Sequence, residues 1–168
     1  MIFTIHIMEE EINNLYNKIK EKDLMSQLGF IEPLEHIITV DNIRRYWKPD
    51  KVKIILLAES HIKTDQNIFE HEKDLTIFDG VDSTYPKNVV NFVYCLGQDV
   101  GKIQFWKILS ASVGKFDFSK LKLNNFSFEE RTRHRIEIIR EMQKRGIWLV
   151  DGAYSRYIQK IKKAIQLK

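Results

Sequence analysis

The sequence predicts an α/β domain with a small, mainly parallel sheet. Two runs of apolar, largely β-branched residues indicate the strands, Val52–Leu57 and Ile147–Val150. Short continuous runs of this kind are typical of strands buried on both faces in a parallel sheet. Polar residues follow each run, the triplet Glu59–His61 after the first and Asp151 after the second. Because ligands bind just beyond the carboxyl ends of such strands, these two strand ends are the predicted site.

The bulk composition is that of one ordinary globular domain covering residues 1–168. The chain is 43% hydrophobic and 30% charged, which argues against disorder. Its single cysteine, Cys95, lies in an apolar stretch, so we expect it to be buried. One cysteine also excludes an internal disulfide framework and a four-cysteine metal site within one chain. The net charge of +4 favours polyanionic partners such as DNA.

The predicted location of the protein is the cytoplasm. The first residues lack the basic segment and the long apolar core of a secretory signal. No run reaches the roughly 18 apolar residues that a membrane-spanning helix needs, so no membrane partner is expected. The basic segment at residues 160–168 predicts a surface helix rather than a membrane anchor.

Helices are predicted on both sides of the first strand. Apolar residues recur at helical spacing in Glu9–Lys22, and a short helix is expected around Asp41–Tyr46. The aperiodic stretch Ile62–Tyr85 predicts either a functional loop or a short helix. Two further apolar stretches predict buried helices, Lys87–Leu96 and Ile103–Ser110.

The helix before the second strand has the clearest local signals. Ser127–Glu130 matches the capping-box pattern, the helix continues through Lys144, and Gly146 is a natural stop. The residues expected to face inward are Ile136, Ile139 and Met142. The residues expected to lie mostly outward on a solvated face are Arg131, Arg133, Arg135 and Arg140.

A few positions outside these elements also carry expectations. A final basic helix is predicted over Ser155–Leu167, after the second strand. We expect His71 and His134 on the solvated surface, and Tyr94 and Trp106 in the core.

Three stretches of the chain share their order and spacing with one known family. They are LLAESHI (Leu56–Ile62), NFVYCLG (Asn91–Gly97) with FWKIL (Phe105–Leu109), and GIWLVDGAY (Gly146–Tyr154). They resemble the uracil-DNA glycosylase superfamily, in one of its divergent branches. The resemblance implies a three-layer α/β/α sandwich that hydrolyses the N-glycosidic bond of a damaged or deaminated base in DNA. The nucleotide is flipped from the duplex, and a carboxylate orients water or stabilises the oxocarbenium-like transition state.

The resemblance assigns roles to the residues that follow the first strand. Glu59 matches the position of the family's water-orienting residue. Ser60 and His61 come next, as turn residues that contact phosphate or help to orient the water. Ala58, which precedes them, is expected to line the substrate pocket.

The resemblance also assigns a role to the end of the second strand. Asp151 matches the position where many members read the base edge with an asparagine, and Gly152 follows it. An aspartate has no amide N–H to donate, which implies a different base, a changed role or no base recognition. Aromatic candidates for stacking on a flipped base are Phe69, Phe78 and Tyr85.

One part of the family pattern is missing from this chain. The second catalytic motif, a histidine-containing loop after the fourth strand, would lie well beyond Tyr154. The chain ends at Lys168, and its last histidine is His134. The resemblance therefore implies a domain shortened at its C-terminal end. An exposed sheet edge left by such shortening would invite homodimerisation.

Two further function classes remain open on the sequence alone. A shortened domain could be a non-catalytic nucleic-acid-binding or assembly module. A metal-assisted hydrolase is the other class, with Glu59 and His61 binding a metal together with His71, Asp74 or Asp151. No tight ligand-spacing motif supports such a metal site.

Serine and cofactor chemistry have weaker support. Ser60 could be a nucleophile, but it lacks the flanking glycines of a nucleophile elbow. The chain has neither a P-loop nor the glycine pattern of a dinucleotide-binding fold, so no cofactor is predicted.

Overall fold

The structure of the protein, a computed structural model, is described for residues 10, 12–14, 16–18, 20–21, 32–58, 64–98, 103–121 and 126–151. These residues form helices and a two-stranded parallel sheet, which confirms the α/β class. The described residues between 10 and 21 are helical, as predicted. The elements that follow are α1 (Leu34–Tyr46), β1 (Ile54–Ala58), α2 (Gln66–Phe69), α3 (Ile103–Ser112), a 3₁₀ turn (Ser119–Leu121), α4 (Phe128–Arg145) and β2 (Ile147–Asp151).

The two predicted strands pair with each other in parallel. Ile54 is aligned with Ile147, and Ala58 with Asp151. Helices α2, α3 and α4 lie in the connection between the strands, as the long crossover of a parallel pair requires. At the start of the sheet, the carbonyl of Gly146 accepts the N–H groups of Lys53 and Ile54 at 2.8 and 3.1 Å. These two bonds tie the start of β1 to the end of α4.

Helix α4 begins at the predicted capping box and ends at Arg145, one residue beyond the predicted Lys144 and directly before the predicted stop at Gly146. Ser127 Oγ accepts the N–H of Glu130 at 3.2 Å, and Glu130 Oε2 accepts the N–H of Ser127 at 2.8 Å. This reciprocal pair satisfies two N–H groups that have no partner within the helix. Gly146 ends the helix in the left-handed region, with φ 77°. Because Ile147 opens β2, the same glycine sets where the second strand starts.

The hydrophobic core packs around α4. The positions predicted to be inside are buried, including Ile136, Ile139, Met142, Tyr94 and Trp106. Cys95 is buried as well, and its Sγ accepts the N–H of Val90 at 3.4 Å. Helix α3 matches its predicted start and extends two residues beyond the predicted end.

The predicted helix at Lys87–Leu96 is wrong. Its backbone bonds with the segment before it: Lys73 donates to the carbonyl of Lys87, and Val89 donates to that of His71. An isolated bridge between Glu72 and Asn88 lies between these bonds. Groups used in this pairing cannot join a helical ladder, so the stretch forms turns. Its continuous apolar character reflects burial on every side rather than one helical face.

Helix α1 is longer than the short helix predicted around Asp41–Tyr46. It begins directly after Pro33, whose fixed φ suits a helix start. Its apolar stripe is interrupted by buried polar residues, among them His36, Asp41 and Arg44. Arg44 Nη2 and Arg45 Nε both donate to the carboxylate of Asp41, the latter at 2.5 Å. These pairings let charged residues occupy inward positions, which hides the helical pattern from the sequence.

Strand β1 is not buried on both faces, which corrects the prediction. Leu56 and Ala58 pack against the core, whereas Ile55 and Leu57, on the alternate face, are 58% and 70% exposed. An unbroken apolar run cannot show which face of a strand lacks a covering element.

The solvated face predicted for the arginines of α4 is only half right. Arg133 and Arg140 are exposed, but Arg131 and Arg135 are buried. Each buried guanidinium donates to a backbone carbonyl, of Phe126 and Gln98 respectively.

The histidine expectations divide in the same way. His134 is buried rather than solvated, with its Nδ1 3.3 Å from Glu137 Oε2, while His71 is exposed as predicted. Among the residues that the structure describes, no helix combines the length and apolar character needed to span a membrane.

Candidate functional site

The carboxyl ends of the two strands lie side by side. The register aligns Leu57 with Val150 and Ala58 with Asp151. Glu59 is the next residue after Ala58 in the chain. Adjacent strands in a sheet are about 4.8 Å apart. The carboxyl ends of β1 and β2, at Ala58 and Asp151, therefore lie at the same edge of the sheet.

The predicted site residues differ in how far the structure describes them. Glu59, Ser60, His61 and Gly152 lie outside the described residues. Asp151 is described by its backbone, as the last residue of β2. Ala58 is half-buried at the end of β1 and packs against the core.

The three aromatic candidates for base stacking are all core residues. Phe78 is 2% exposed and Tyr85 is 5% exposed. Phe69 is also buried, and its ring stacks on that of His36 with 4.1 Å between centroids. None of the three presents an open ring face, so none of them offers a surface on which a flipped base could stack.

The buried hydroxyl of Tyr85 has a structural role as the hydrogen-bond partner of two backbone groups. Its hydroxyl donates to the carbonyl of Tyr94 at 3.0 Å and accepts the N–H of Leu96 at 2.9 Å. Tyr85→Phe leaves two buried backbone groups without a partner, and we expect a loss of about 1–3 kcal/mol in the free energy of unfolding. Tyr46→Phe is the matched control, because its hydroxyl bonds to exposed backbone groups at Gly80 and Asp82, which water can solvate. Urea unfolding measures both variants, and equal losses would contradict the assignment.

The same tyrosine predicts a fall in stability at alkaline pH. Burial raises the pKa of Tyr85 well above its ordinary value of 10.0, and burial also raises the pKa of Tyr94. Above pH 10 the unfolded chain therefore releases these protons while the folded chain keeps them. Stability is unaffected below that pH and then falls by up to about 1.4 kcal/mol per pH unit for each tyrosine. Urea unfolding between pH 9 and 11 should show a shallower fall in Tyr85→Phe, and an unchanged slope would contradict this account.

A network of hydrogen bonds holds the chain at Thr64, shortly after the predicted catalytic residues. Thr64, which is fully buried, donates its N–H to Glu32 Oε1 at 2.9 Å. Its Oγ1 accepts the N–H of Asn91 at 2.9 Å. Asn91 Oδ1 accepts from the side-chain amide of Gln98, and Gln98 O accepts from Arg135 Nη1 at 2.7 Å. We call these five residues the Thr64 network; it joins the start of α1 to α4.

A histidine packs beside the Thr64 network. His36 is 1% exposed, with its Nδ1 3.7 Å from Glu32 Oε1 and its Nε2 3.1 Å from Gln66 Oε1. Its Nδ1 makes no hydrogen bond within the described part of the chain. Residues 59–63 carry the predicted catalytic triplet. Ala58, in the sheet, precedes them in the chain, and Thr64, in the Thr64 network, follows them.

Sequence reasoning missed Glu32 and His36. The signal that was present is their spacing: an acid and a histidine four residues apart share one face of a helical turn. Their partners Thr64 and Gln66 are about 30 residues further along the chain, so no local pattern links them.

Metal ligands are not grouped in the described residues. No cluster of three or more histidine, cysteine, aspartate or glutamate side chains is arranged there to hold an ion.

Comparisons with known proteins give no match, whether with family models, with curated proteins or with solved structures.

Proposed function

We propose that this protein is a DNA glycosylase of the uracil-DNA glycosylase type, with a three-layer α/β/α sandwich, that hydrolyses the N-glycosidic bond of a deaminated or damaged base. The observation that carries the proposal is the register that aligns Ala58 with Asp151. It brings the ends of the two strands, at Ala58 and Asp151, to one edge of a parallel sheet, and Glu59 is the next residue in the chain after Ala58. That edge is where α/β folds bind their ligands.

Two carboxylates at one site suit this reaction. As the bond to the base breaks, positive charge develops on the sugar, and a carboxylate can stabilise it or orient the attacking water. We assign this role to Glu59, with His61 helping to orient the water and Ser60 contacting phosphate. Asp151 contacts the edge of the base from the neighbouring strand, with Ala58 and Gly152 lining the pocket.

The Thr64 network supports the proposal because catalysis needs the loop in one position. A displacement of about 1 Å in a catalytic group can cost about 100-fold in rate. Thr64 donates its N–H to Glu32 Oε1 in a buried hydrogen bond, and its Oγ1 accepts the N–H of Asn91, so it is held by two separate parts of the chain. Ala58, before the predicted catalytic residues, is paired in the sheet, and Thr64, after them, is hydrogen-bonded to two other parts of the chain.

The aspartate at the proposed base-reading position, Asp151, limits which bases are expected as substrates. An ionised Asp151 accepts hydrogen bonds but donates none, so it favours a base that offers an N–H at the contacted edge. The proposal places no cofactor in the reaction, since the base leaves by hydrolysis.

The experiment that tests the function is base release from a panel of labelled oligonucleotides. Single- and double-stranded substrates carry uracil, hypoxanthine or xanthine, and the free base and the abasic site are both quantified. Wild type and Glu59→Gln are run side by side. Release by wild type that is lost in Glu59→Gln supports a glycosylase.

The alternative functions predict different results for the same two proteins, wild type and Glu59→Gln. Salt-sensitive DNA binding without base release, unchanged in Glu59→Gln, would replace the proposal with a non-catalytic binding module. Metal-dependent hydrolysis, or acylation of Ser60, would replace it with another hydrolase.

A further inference from the structure

The amino edge of the sheet, where both strands begin, brings two distant segments of the chain together. Residues 47–53 lead into β1, and residues 143–147 lead from the end of α4 into β2. Gly146 is the point of contact, since its carbonyl accepts the N–H of Lys53 at 2.8 Å. The carbonyl oxygen of Lys51 lies 2.6 Å from the position that a Cβ of Gly146 would take. The exposed cations of the two segments, which we call the basic edge, are Lys48, Lys51, Lys53, Lys144 and Arg145.

The net positive charge of the chain comes from this region. Residues 41–53 contain five basic residues and two aspartates, and residues 141–146 contain two basic residues and one glutamate. Together they carry seven basic and three acidic residues, a net charge of +4, which equals the net charge of the whole chain. The remaining positions hold as many acids as bases. The fold therefore gathers charge from two segments about 90 positions apart at one edge of the sheet.

The acids of this region are mostly paired with arginines. Asp41 accepts hydrogen bonds from Arg44 Nη2 and Arg45 Nε. Glu141 Oε1 accepts one from Arg145 Nε at 2.9 Å. The lysines that make no ion pair within the described part of the chain are Lys48, Lys51, Lys53 and Lys144. Their ammonium groups are therefore available to an anionic partner.

The kind of exposed residue at this edge indicates the kind of partner. Every exposed residue in 47–53 and 143–147 is charged, and Asp50 is the one acid among them. Protein interfaces have an apolar centre from which charged residues are depleted, and membrane-surface sites insert apolar side chains. These two segments expose no apolar residue. Exposed lysines without an apolar centre suit the phosphates of a nucleic acid, which are contacted without reading the bases.

We propose that the basic edge binds the phosphate backbone of double-stranded DNA without regard to base sequence. This surface is separate from the proposed active site, because a five-residue strand puts about 17 Å between the two edges of the sheet. The inference does not rest on glycosylase activity, since binding here needs the lysines and no catalytic residue. Contacts of this kind let a protein slide along DNA, so the basic edge would hold the protein on undamaged duplex.

The salt dependence of binding to an undamaged duplex tests the proposal. Fluorescence anisotropy of a labelled duplex of about 20 base pairs is measured with the full-length chain between roughly 50 and 200 mM salt. The test variant is Lys51→Gln/Lys53→Gln, which keeps the aliphatic part of each side chain. The matched control is Lys87→Gln/Lys107→Gln, which removes the same charge from two exposed lysines outside both segments. All four positions are exposed, so both variants should melt within a few degrees of wild type.

We expect wild type to bind with a slope of log K against log salt of about −4, as four phosphate contacts imply. The test variant should flatten that slope by about 2 and weaken binding at 0.1 M salt by about tenfold or more, whereas the control should bind within about twofold of wild type. Equal weakening in both variants would overturn the proposal, because binding would then follow net charge alone.

Two further outcomes separate this inference from its alternatives. Lysine-dependent binding of wild type to vesicles of anionic phospholipid, with none to the duplex, would overturn it and assign the basic edge to a membrane surface. Duplex binding that is lost in Lys51→Gln/Lys53→Gln, in a protein that releases no base, would support it while contradicting the proposed glycosylase function.

Discussion

Gly146→Ala is expected to destabilise the protein by about 3 kcal/mol or more. The backbone of Gly146 has φ 77°, a left-handed conformation that costs a residue with a Cβ about 1–3 kcal/mol. The added Cβ would also lie 2.6 Å from the carbonyl oxygen of Lys51 and 2.9 Å from Cγ of Lys53. Because the first of these atoms belongs to the backbone at the start of the sheet, relief of the contact has to move the chain itself. Urea unfolding gives the change in free energy.

Gly114→Ala is the matched control for the conformational part of this cost. Gly114 has φ 75°, and a Cβ there would meet no atom within 4 Å. Both substitutions remove the same flexibility from the unfolded chain, so that effect cancels in the comparison. We expect Gly114→Ala to cost about 1–2 kcal/mol less than Gly146→Ala. Equal losses would show that the contact with Lys51 is relieved without cost.

Glu59→Gln is expected to slow base release about 100-fold or more, which corresponds to about 2.7 kcal/mol of transition-state stabilisation. In the proposed reaction the carboxylate of Glu59 stabilises the developing cation; glutamine keeps the size of the side chain but removes its negative charge. The effect belongs to the chemical step, so it should appear in kcat more than in KM. Single-turnover base release with enzyme in excess measures it directly.

A second acid-to-amide change controls for general loss of charge. Glu72→Gln removes one exposed carboxylate to which the proposal assigns no role. Its rate should stay within about twofold of wild type, as expected for a surface change away from the site. Both variants should melt within a few degrees of wild type. If Glu59→Gln retained full activity, the catalytic role assigned to this residue would be wrong.

The elements that the sequence predicts well are those with local causes. The capping box at Ser127–Glu130 and the stop at Gly146 involve residues within a few positions of each other, and both ends of α4 lie within one residue of the prediction. The strands at Ile54–Ala58 and Ile147–Asp151 follow from uninterrupted apolar runs. Their parallel pairing follows from the long connection between them.

The elements that the sequence predicts poorly depend on distant partners. Helix α1 contains a buried polar residue whose partner lies far along the chain: His36 Nε2 is 3.1 Å from Gln66 Oε1, 30 positions away. The stretch at Lys87–Leu96 has the composition of a buried helix, but its backbone pairs with residues 71–73. Neither feature leaves a periodic signal in its own segment.

The candidate site shows the same difference between residues with a local signal and residues with distant partners. Both acids were recognisable because each stands at the end of an apolar run, and the register aligns the ends of the two strands, at Ala58 and Asp151. The Thr64 network was not recognisable, since Glu32, Thr64 and Asn91 are separated by about 30 residues each. The N–H of Thr64 is a backbone group, which every residue except proline has, so no particular residue type in the sequence marks this contact.

The central claim is that the acids at the two strand ends act on one substrate. A double-mutant cycle of Glu59→Gln and Asp151→Asn tests it by single-turnover base release. If both residues act in the same transition state, the double variant should be slowed little more than the slower single variant, because residues that act as a unit are not additive. If the two single effects multiply in the double variant, Glu59 and Asp151 act independently, and a shared site at the edge of the sheet is contradicted.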